Sequence, residues 1–309
     1  MKIRTIFFGT PAFAVPILEA LVKHPQIELV LAVTQPDTPV GRKKTLSAPP
    51  VKVLAQAHNI PIFQPESLKN QSNQEIIKNV HPELIVLAAY GKIIPDSILK
   101  LPRLQSLNIH PSALPKYRGA SPIQSVILAG EEKTAISIMI MEPTLDTGPI
   151  VAQKPIAIAP QITYPELEQQ LALASAHLLS ETLSDWIADK IIPQIQDHQL
   201  ATYTKIFTKE DGQINWHKSA EEIDCQIRAF IPWPGTYTIY QNKRLKILKA
   251  IVKEKQLAPG EIELTPTEML IGCQKNALSI ITLQEEGKRV MQATDFIPGH
   301  GYLQGAKLV

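Results

Sequence analysis

Five consecutive apolar residues, Leu84 to Ala88, constrain the fold more than any other stretch. A strand without polar alternation turns neither face to water, so other layers must cover both sides of its sheet. Parallel α/β sheets are built in that way. The N-terminus supplies a matching unit. Ile3 to Phe8 reads as a short apolar strand, Gly9-Thr10-Pro11 as a turn, Pro11 to Lys23 as a helix and Ile27 to Val33 as a second strand. Together they form a βαβ unit, the opening of a doubly wound sheet. The run Gly9 to Ala14 holds one glycine where a dinucleotide fingerprint needs three, which argues against a nicotinamide or flavin dinucleotide.

The expected fold class is therefore α/β, a Rossmann-like open and mostly parallel sheet followed by a small OB-like β-barrel. Helices are expected over Pro50 to His58, Ser67 to Val80, Pro95 to Leu99 and Ala120 to Leu128, with strands over Ile60 to Phe63, Ala135 to Met141 and Ile150 to Ile158. Tyr164 to Ile187 reads as a long amphipathic helix that closes a first domain, residues 1–192. The polar stretch 193–208, with Gln194, Gln196, Gln199 and Thr202, reads as a linker. In 209–309, Ser219 and Glu222 form a capping-box pattern. Short strands follow from Tyr237 to Met291, which suggests the barrel. Trp233 reads as a packing anchor between Pro232 and Pro234.

With 44% apolar and 19% charged residues the composition is globular, which excludes a disordered or fibrous class. Net charge is only +2, so a nucleic-acid partner has to be argued from local patches. Two such patches exist: Arg42, Lys43 and Lys44 in the loop Gln35 to Ser47, and Arg244 and Lys246 in a strand that alternation sends to one face. Solvated surface charge is the plainer reading of each. Cys225 and Cys273 lack disulfide or metal-ligand spacing, and the histidines lack it too, so no metal is expected. The N-terminal apolar run breaks at Gly9-Thr10-Pro11, unlike a secretory signal, and a cytoplasmic protein is expected.

Chemistry concentrates in Leu104 to Pro122, LQSLNIHPSALPKYRGASP. In a strand over Gln105 to Ile109, residues two apart share a side, so Asn108 and His110 project together, and Pro111 ends the strand. Asp146 sits in the turn after Met141. An amide donor, an imidazole and a carboxylate at the ends of neighbouring strands suit attack on a carbonyl. No serine or cysteine stands in a nucleophile elbow, which favours direct transfer to an amine. Taken singly, Asn108 also reads as a turn residue, His110 as a core histidine and Asp146 as an Asx turn.

The segments GTPAFAVP, QPD with GRKK, AAYGKIIP, LNIHPSALPKYRGASPIQ and MEPTLDTG, with IRAFIPWP further on, closely resemble the methionyl-tRNA formyltransferase family over essentially the full length. The resemblance implies formyl transfer from 10-formyltetrahydrofolate to the α-amine of initiator methionyl-tRNA. By position it implies that Asn108, His110 and Asp146 are catalytic. Ser112, Ala113, Leu114 and Pro115, with Ala89, Tyr90, Gly91 and Ile93, would lie along the folate. Arg42, Lys43, Lys44, Arg244 and Lys246 would meet tRNA, with 209–309 as the tRNA-binding domain. The expected partners are initiator methionyl-tRNA and folate, with no membrane, for a chain working as a monomer. The nearest alternatives are a formyltransferase acting on a nucleotide or sugar amine and a formyltetrahydrofolate hydrolase. An RNA-binding module with a decayed catalytic domain is the alternative that is not an enzyme.

Overall fold

The structure is a computed structural model that describes residues 1–40 and 45–308. The chain divides into two compact units. The first comprises Met1–Pro122, Lys133–Ala157 and Glu168–Thr204; the second comprises Ile123–Glu132, Ile158–Leu167 and the chain from Lys205 onward.

In order, the first part of the chain forms β1 (Ile3–Gly9), α1 (Val15–Lys23), β2 (Ile27–Val33), β3 (Thr38–Val40), β4 (Thr45–Ser47), α2 (Pro50–Ala57), β5 (Ile62–Phe63), α3 (Gln71–Asn79), β6 (Leu84–Ala88) and α4 (Asp96–Leu99). It continues with β7 (Ser106–His110), β8 (Arg118–Gly119), α5 (Pro122–Leu128), β9 (Lys133–Ile140), β10 (Ile150–Ala157), α6 (Tyr164–Ile187) and β11 (Tyr203–Thr204). Seven strands make one sheet in the order β10-β9-β7-β6-β1-β2-β5. The pairings from β7 through β6, β1 and β2 to β5 are parallel, whereas β9 runs antiparallel to β7 and β10 antiparallel to β9. β6 is buried at every residue and lies between β1 and β7, as its unbroken apolar run requires. α1 buries Ile17, Leu18 and Leu21, and its proline at the first turn gives up an N–H that has no helical partner anyway.

α3 starts at Gln71, four residues later than periodicity suggests. The Asn73 side chain donates to the Ser67 carbonyl and the Gln74 side chain to the Leu68 carbonyl, which hold 67–70 as a turn ahead of the helix. Just before β6, Glu83 accepts from the Arg4 backbone N–H at 3.1 Å and from the Arg103 guanidinium at 2.7 and 3.0 Å. The Arg103 hydrogen bond, then that of the Arg4 backbone, holds its carboxyl below the usual carboxylate value. A depressed folded pKa means the contribution is complete above the unfolded value and is lost as pH falls through the folded one. Glu83→Gln is therefore expected to cost under about 1 kcal/mol at neutral pH, because the pair is partly solvated. The difference from the parent should vanish in acid. Thermal melting at pH 7 and pH 3 checks this, and a loss that grows in acid would contradict it.

The second unit adds α7 (Ala220–Ala229), β12 (Thr236–Tyr240), β13 (Lys243–Lys253), β14 (Ile262–Leu264), β15 (Met269–Gly272), β16 (Ala277–Glu285), β17 (Met291–Gln292) and α8 (Ala293–Phe296). The capping box forms as the pattern indicates: Ser219 accepts from the Glu222 N–H, and Glu222 accepts from the Ser219 N–H. The strands run β12-β13-β16-β15-β14, with β17 on β16, all antiparallel. α7 sets Ile223 and Ile227 into a core with Ile247, Ile271, Leu278, Leu283 and Phe296. Trp233, expected to anchor packing, is 48% exposed. Phe230 is buried instead, its ring edge-on to Phe207 with centroids 5.0 Å apart. Among the described residues, no helix is long and apolar enough to cross a membrane.

Candidate active site

β7 is the rail on which the site is built. Its Leu107 and Ile109 are core residues, and alternation turns Asn108 and His110 the other way. Both are still buried, at 6% and 5% exposure.

Asp146 reaches them by a different route from the one expected. Because β9 is antiparallel to β7, its carboxyl end lies beside the start of β7, where the Met141 N–H bonds the Ser106 carbonyl at 2.7 Å. The connection from Met141 to Pro149 then folds back, and Ile150 re-enters the sheet opposite Met139, the residue that faces Asn108. Asp146 sits within this return at φ 52°, a left-handed conformation that its short polar side chain tolerates. Its carboxylate Oδ1 accepts from Asn108 Nδ2 at 3.4 Å and Oδ2 from the Gly119 N–H at 2.8 Å. Oδ2 also stands 3.8 Å from His110 Nδ1.

The imidazole tautomer follows from its other contact. Nε2 is 2.9 Å from the Tyr117 carbonyl oxygen. A carbonyl only accepts, so Nε2 carries a proton and donates it. Nδ1 is left on the Asp146 side, beyond direct hydrogen-bond range of the carboxylate. A proton arriving at Nδ1 would make an imidazolium facing a carboxylate, while the Asn108 amide occupies the same corner.

Gly119 makes the approach possible. It has φ 108°, and a Cβ there would come within 2.9 Å of the Thr204 carbonyl oxygen. β8 and β11 pair in parallel at this point, so neither backbone yields easily. Gly119→Ala is expected to combine backbone strain with a displaced N–H donor to Asp146, costing about 2 kcal/mol of stability and roughly tenfold in turnover. Melting and initial-rate measurements on the variant check both, and parent-like values would show that Gly119 is replaceable.

Arg118 and Gln196 enter the site through tertiary structure, and sequence reading had placed Gln196 in a linker. Arg118 is 1% exposed; its guanidinium donates to Gln196 Oε1 at 2.7 and 3.2 Å, to the Tyr203 hydroxyl at 3.2 Å and to His198 Nδ1 at 3.1 Å. Gln196 passes the contact on, its Nε2 donating to the carbonyls of Asp146 at 3.0 Å and Gly148 at 2.7 Å. Within 193–208, Gln194 also bridges Ile150, and Tyr203–Thr204 pairs with Arg118–Gly119. The only trace of this in the sequence was a run of glutamines, a residue type as common on surfaces as in buried networks.

The remaining candidates within the described residues fall into three groups, with Ser112, Leu114 and Tyr90 buried. Ser112, Ala113, Leu114 and Pro115 follow His110 in a turn tied to the sheet: Ser137 Oγ donates to the Ser112 carbonyl at 2.7 Å, and Gln153 Nε2 to the Leu114 carbonyl at 3.0 Å. Ala89, Tyr90, Gly91 and Ile93 leave the end of β6, the strand beside β7. Ala89, Gly91 and Ile93 are exposed, whereas the Tyr90 ring is buried edge-on to Phe8 at 5.2 Å, and burial pushes its phenol up to about 12. Arg244 and Lys246 are exposed on β13, with Leu245 and Ile247 buried between and beyond them, and Arg244 lies 4.5 Å over the Tyr237 ring. Lys253 and Lys255, further along, are paired with Glu268 and Glu263. Arg42, Lys43 and Lys44 lie outside the described residues. Among the described residues, no group of three or more His, Cys, Asp or Glu is placed to hold a metal ion.

Comparison with known proteins follows the same division. Residues 1–183 match the formyl transferase family and residues 206–301 the formyl transferase C-terminal domain. The chain is 43% identical over 309 residues to the methionyl-tRNA formyltransferase of Caldanaerobacter subterraneus subsp. tengcongensis, covering 99% of both chains. It is 41% identical over 300 residues to that of Thermodesulfovibrio yellowstonii, covering 97% of both. Among solved structures, an N-formyltransferase from Helicobacter canadensis in complex with folinic acid and dTDP-3-aminofucose superposes with a TM-score of 0.67 at 19% identity, over 92% of this chain and 99% of that one. At that identity the likeness speaks for the fold alone, whereas the two sequence matches cover 97% and 99% of this chain. The chain belongs to the methionyl-tRNA formyltransferase family.

Proposed function

We propose that this chain transfers the formyl group of 10-formyltetrahydrofolate to the α-amine of methionine carried by initiator tRNA, for translation initiation. The observation that supports the reading most is the meeting of Asn108, His110 and Asp146, which come from two segments 36 residues apart, in a chain of this family. Asn108, His110 and Asp146 are the catalytic residues. The Asn108 amide faces the oxygen on which charge develops as the amine adds to the formyl carbon, and His110 joins it through Nδ1–H once that nitrogen is protonated. His110 Nδ1 is the ring position open to the proton released by the attacking amine, Asp146 holds the resulting imidazolium, and that proton passes to N10 as the N10–formyl bond breaks and tetrahydrofolate leaves. Asp146 is itself held by the Gly119 N–H, so its carboxylate is already oriented before substrate arrives.

The donor lies along Ser112 to Pro115 and the loop from Ala89 to Ile93. That placement is supported by register: Leu87 pairs with Asn108, so the loop after β6 leaves the sheet beside His110. Exposed Ile93 offers an apolar surface there, while Tyr90 acts through its backbone because its ring is committed to the core. Residues 1–192 form a Rossmann-like catalytic domain, 193–208 a connection and 209–309 an OB-like barrel that binds tRNA. Arg42, Lys43, Lys44, Arg244 and Lys246 contact the RNA backbone, with Arg244 and Lys246 projecting from one face of β13. The chain works as a monomer in the cytoplasm.

The deciding experiment offers the purified chain 10-formyltetrahydrofolate with initiator methionyl-tRNA, a nucleotide-linked amino sugar, or water alone as acceptor. Formyl-methionyl-tRNA as the dominant product supports the reading. Preferential formylation of the sugar, or release of formate without an acceptor, would replace it with one of the alternatives.

A further inference from the structure

We infer that Gln196 is a positioning residue for this reaction, a clamp that fixes the loop presenting Asp146 and is itself aimed by the buried guanidinium of Arg118. The inference rests on the reading of Asp146 as catalytic.

Gln196 is 4% exposed, and every polar atom of its side chain is engaged. Its orientation has one consistent solution. Arg118 can only donate, so the atom it faces is Oε1; the carbonyls of Asp146 and Gly148 can only accept, so the atom facing them is Nε2. One amide thus joins three backbone or side-chain groups that lie 48 to 78 residues away in sequence. A charged donor on its carbonyl polarises the amide and strengthens the two bonds that its NH₂ gives.

The loop needs such a clamp. Asp146 has φ 52°, a left-handed conformation that aspartate tolerates at a modest cost, and contacts on both sides of the residue hold it there. The Asp146 carboxylate is held from one side by the Gly119 N–H, and its backbone carbonyl is held from the other by Gln196. The next residues are tied as well, since Gln194 hydrogen-bonds Ile150 in both directions at 2.8 Å. Without the Gln196 bond the carboxylate keeps its chemistry and loses its fixed place beside His110 Nδ1. Reaction rates are sensitive to displacements of about 1 Å, which can cost on the order of a hundredfold.

Glutamate separates the clamp from a merely structural role. Gln196→Glu keeps the shape and strengthens the contact with Arg118, which also keeps the carboxyl ionised. It turns an oxygen, in place of the NH₂ group, toward the Asp146 and Gly148 carbonyls. If Gln196 served only to satisfy Arg118, this variant would be fully active. As a clamp, it should lose roughly tenfold to a hundredfold in kcat for initiator methionyl-tRNA, with KM for both substrates changed by less than about twofold and the melting temperature retained. The second arm is a double-mutant cycle with Asp146→Asn. Acting through Asp146, Gln196→Glu should change the rate of the Asp146→Asn enzyme by less than about twofold. Parent-like kcat for Gln196→Glu, or equal losses in both backgrounds, would overturn the inference while leaving Asp146 catalytic. Full turnover by Asp146→Asn alone would remove the reading of Asp146 and the clamp together.

Discussion

Asn108→Ala is expected to slow formyl transfer by about a hundredfold or more at saturating substrates, the usual consequence of losing one pre-oriented oxyanion donor, about 3 kcal/mol. The side chain has little structural work to share that loss. β7 is held by backbone ladders to β6 and β9, and its packing comes from Leu107 and Ile109, which point the other way. Among the described residues, the side-chain partner of the amide is Asp146 Oδ1, at a long 3.4 Å. Truncation should therefore leave melting nearly unchanged and KM for tRNA within a small factor, so that the loss appears in kcat. Asn108→Asp is the sharper companion, because a second carboxylate beside Asp146 adds like-charge repulsion where the oxyanion must form. Single-turnover formylation of initiator methionyl-tRNA measures both. Parent-like rates for the alanine variant would take Asn108 out of the catalytic set.

The second large effect lies two residues beyond Asp146. A Cβ on Gly148 would fall 1.9 Å from the Ile140 carbonyl oxygen and 3.0 Å from its carbon. No rotamer relieves a backbone clash of that size, so either the end of β9 or the return loop must shift. Ile140 is not free to do so: it pairs with Leu107 across the sheet, and its N–H bonds the Pro149 carbonyl at 2.9 Å. The loop is the part that yields, which breaks the Gln196 bond to the Gly148 carbonyl and carries Asp146 with it. Gly148→Ala is expected to cost about 3 kcal/mol, visible as a drop of roughly 5 °C in melting temperature, and to depress turnover at temperatures where it remains folded. A stable and active Gly148→Ala enzyme would mean that the loop tolerates another path.

Much of the frame could be read from local pattern, because local pattern records burial. The unbroken apolar run Leu84 to Ala88 became the strand buried at every residue, and alternation in Leu107 to His110 separated core side chains from site side chains. Ser219 and Glu222 met in a capping box because its two bonds span only three residues. Trp233 went the other way: a large aromatic between prolines suggested an anchor, yet it is half exposed, while Phe207 and Phe230 are the aromatics that are buried, ring against ring.

By itself, the sequence determined the alternation of strands and helices, the side of β7 to which Asn108 and His110 turn, and through its motifs the family. Only the tertiary structure decided that β9 runs antiparallel, that the Asp146 loop must therefore double back across β7, and that Gln196 and Arg118 hold it there. The reason is physical. Periodicity states which face of an element avoids water, and it is blind to strand direction and to hydrogen bonds between groups 50 or 78 residues apart, which exist only once the chain has closed on itself.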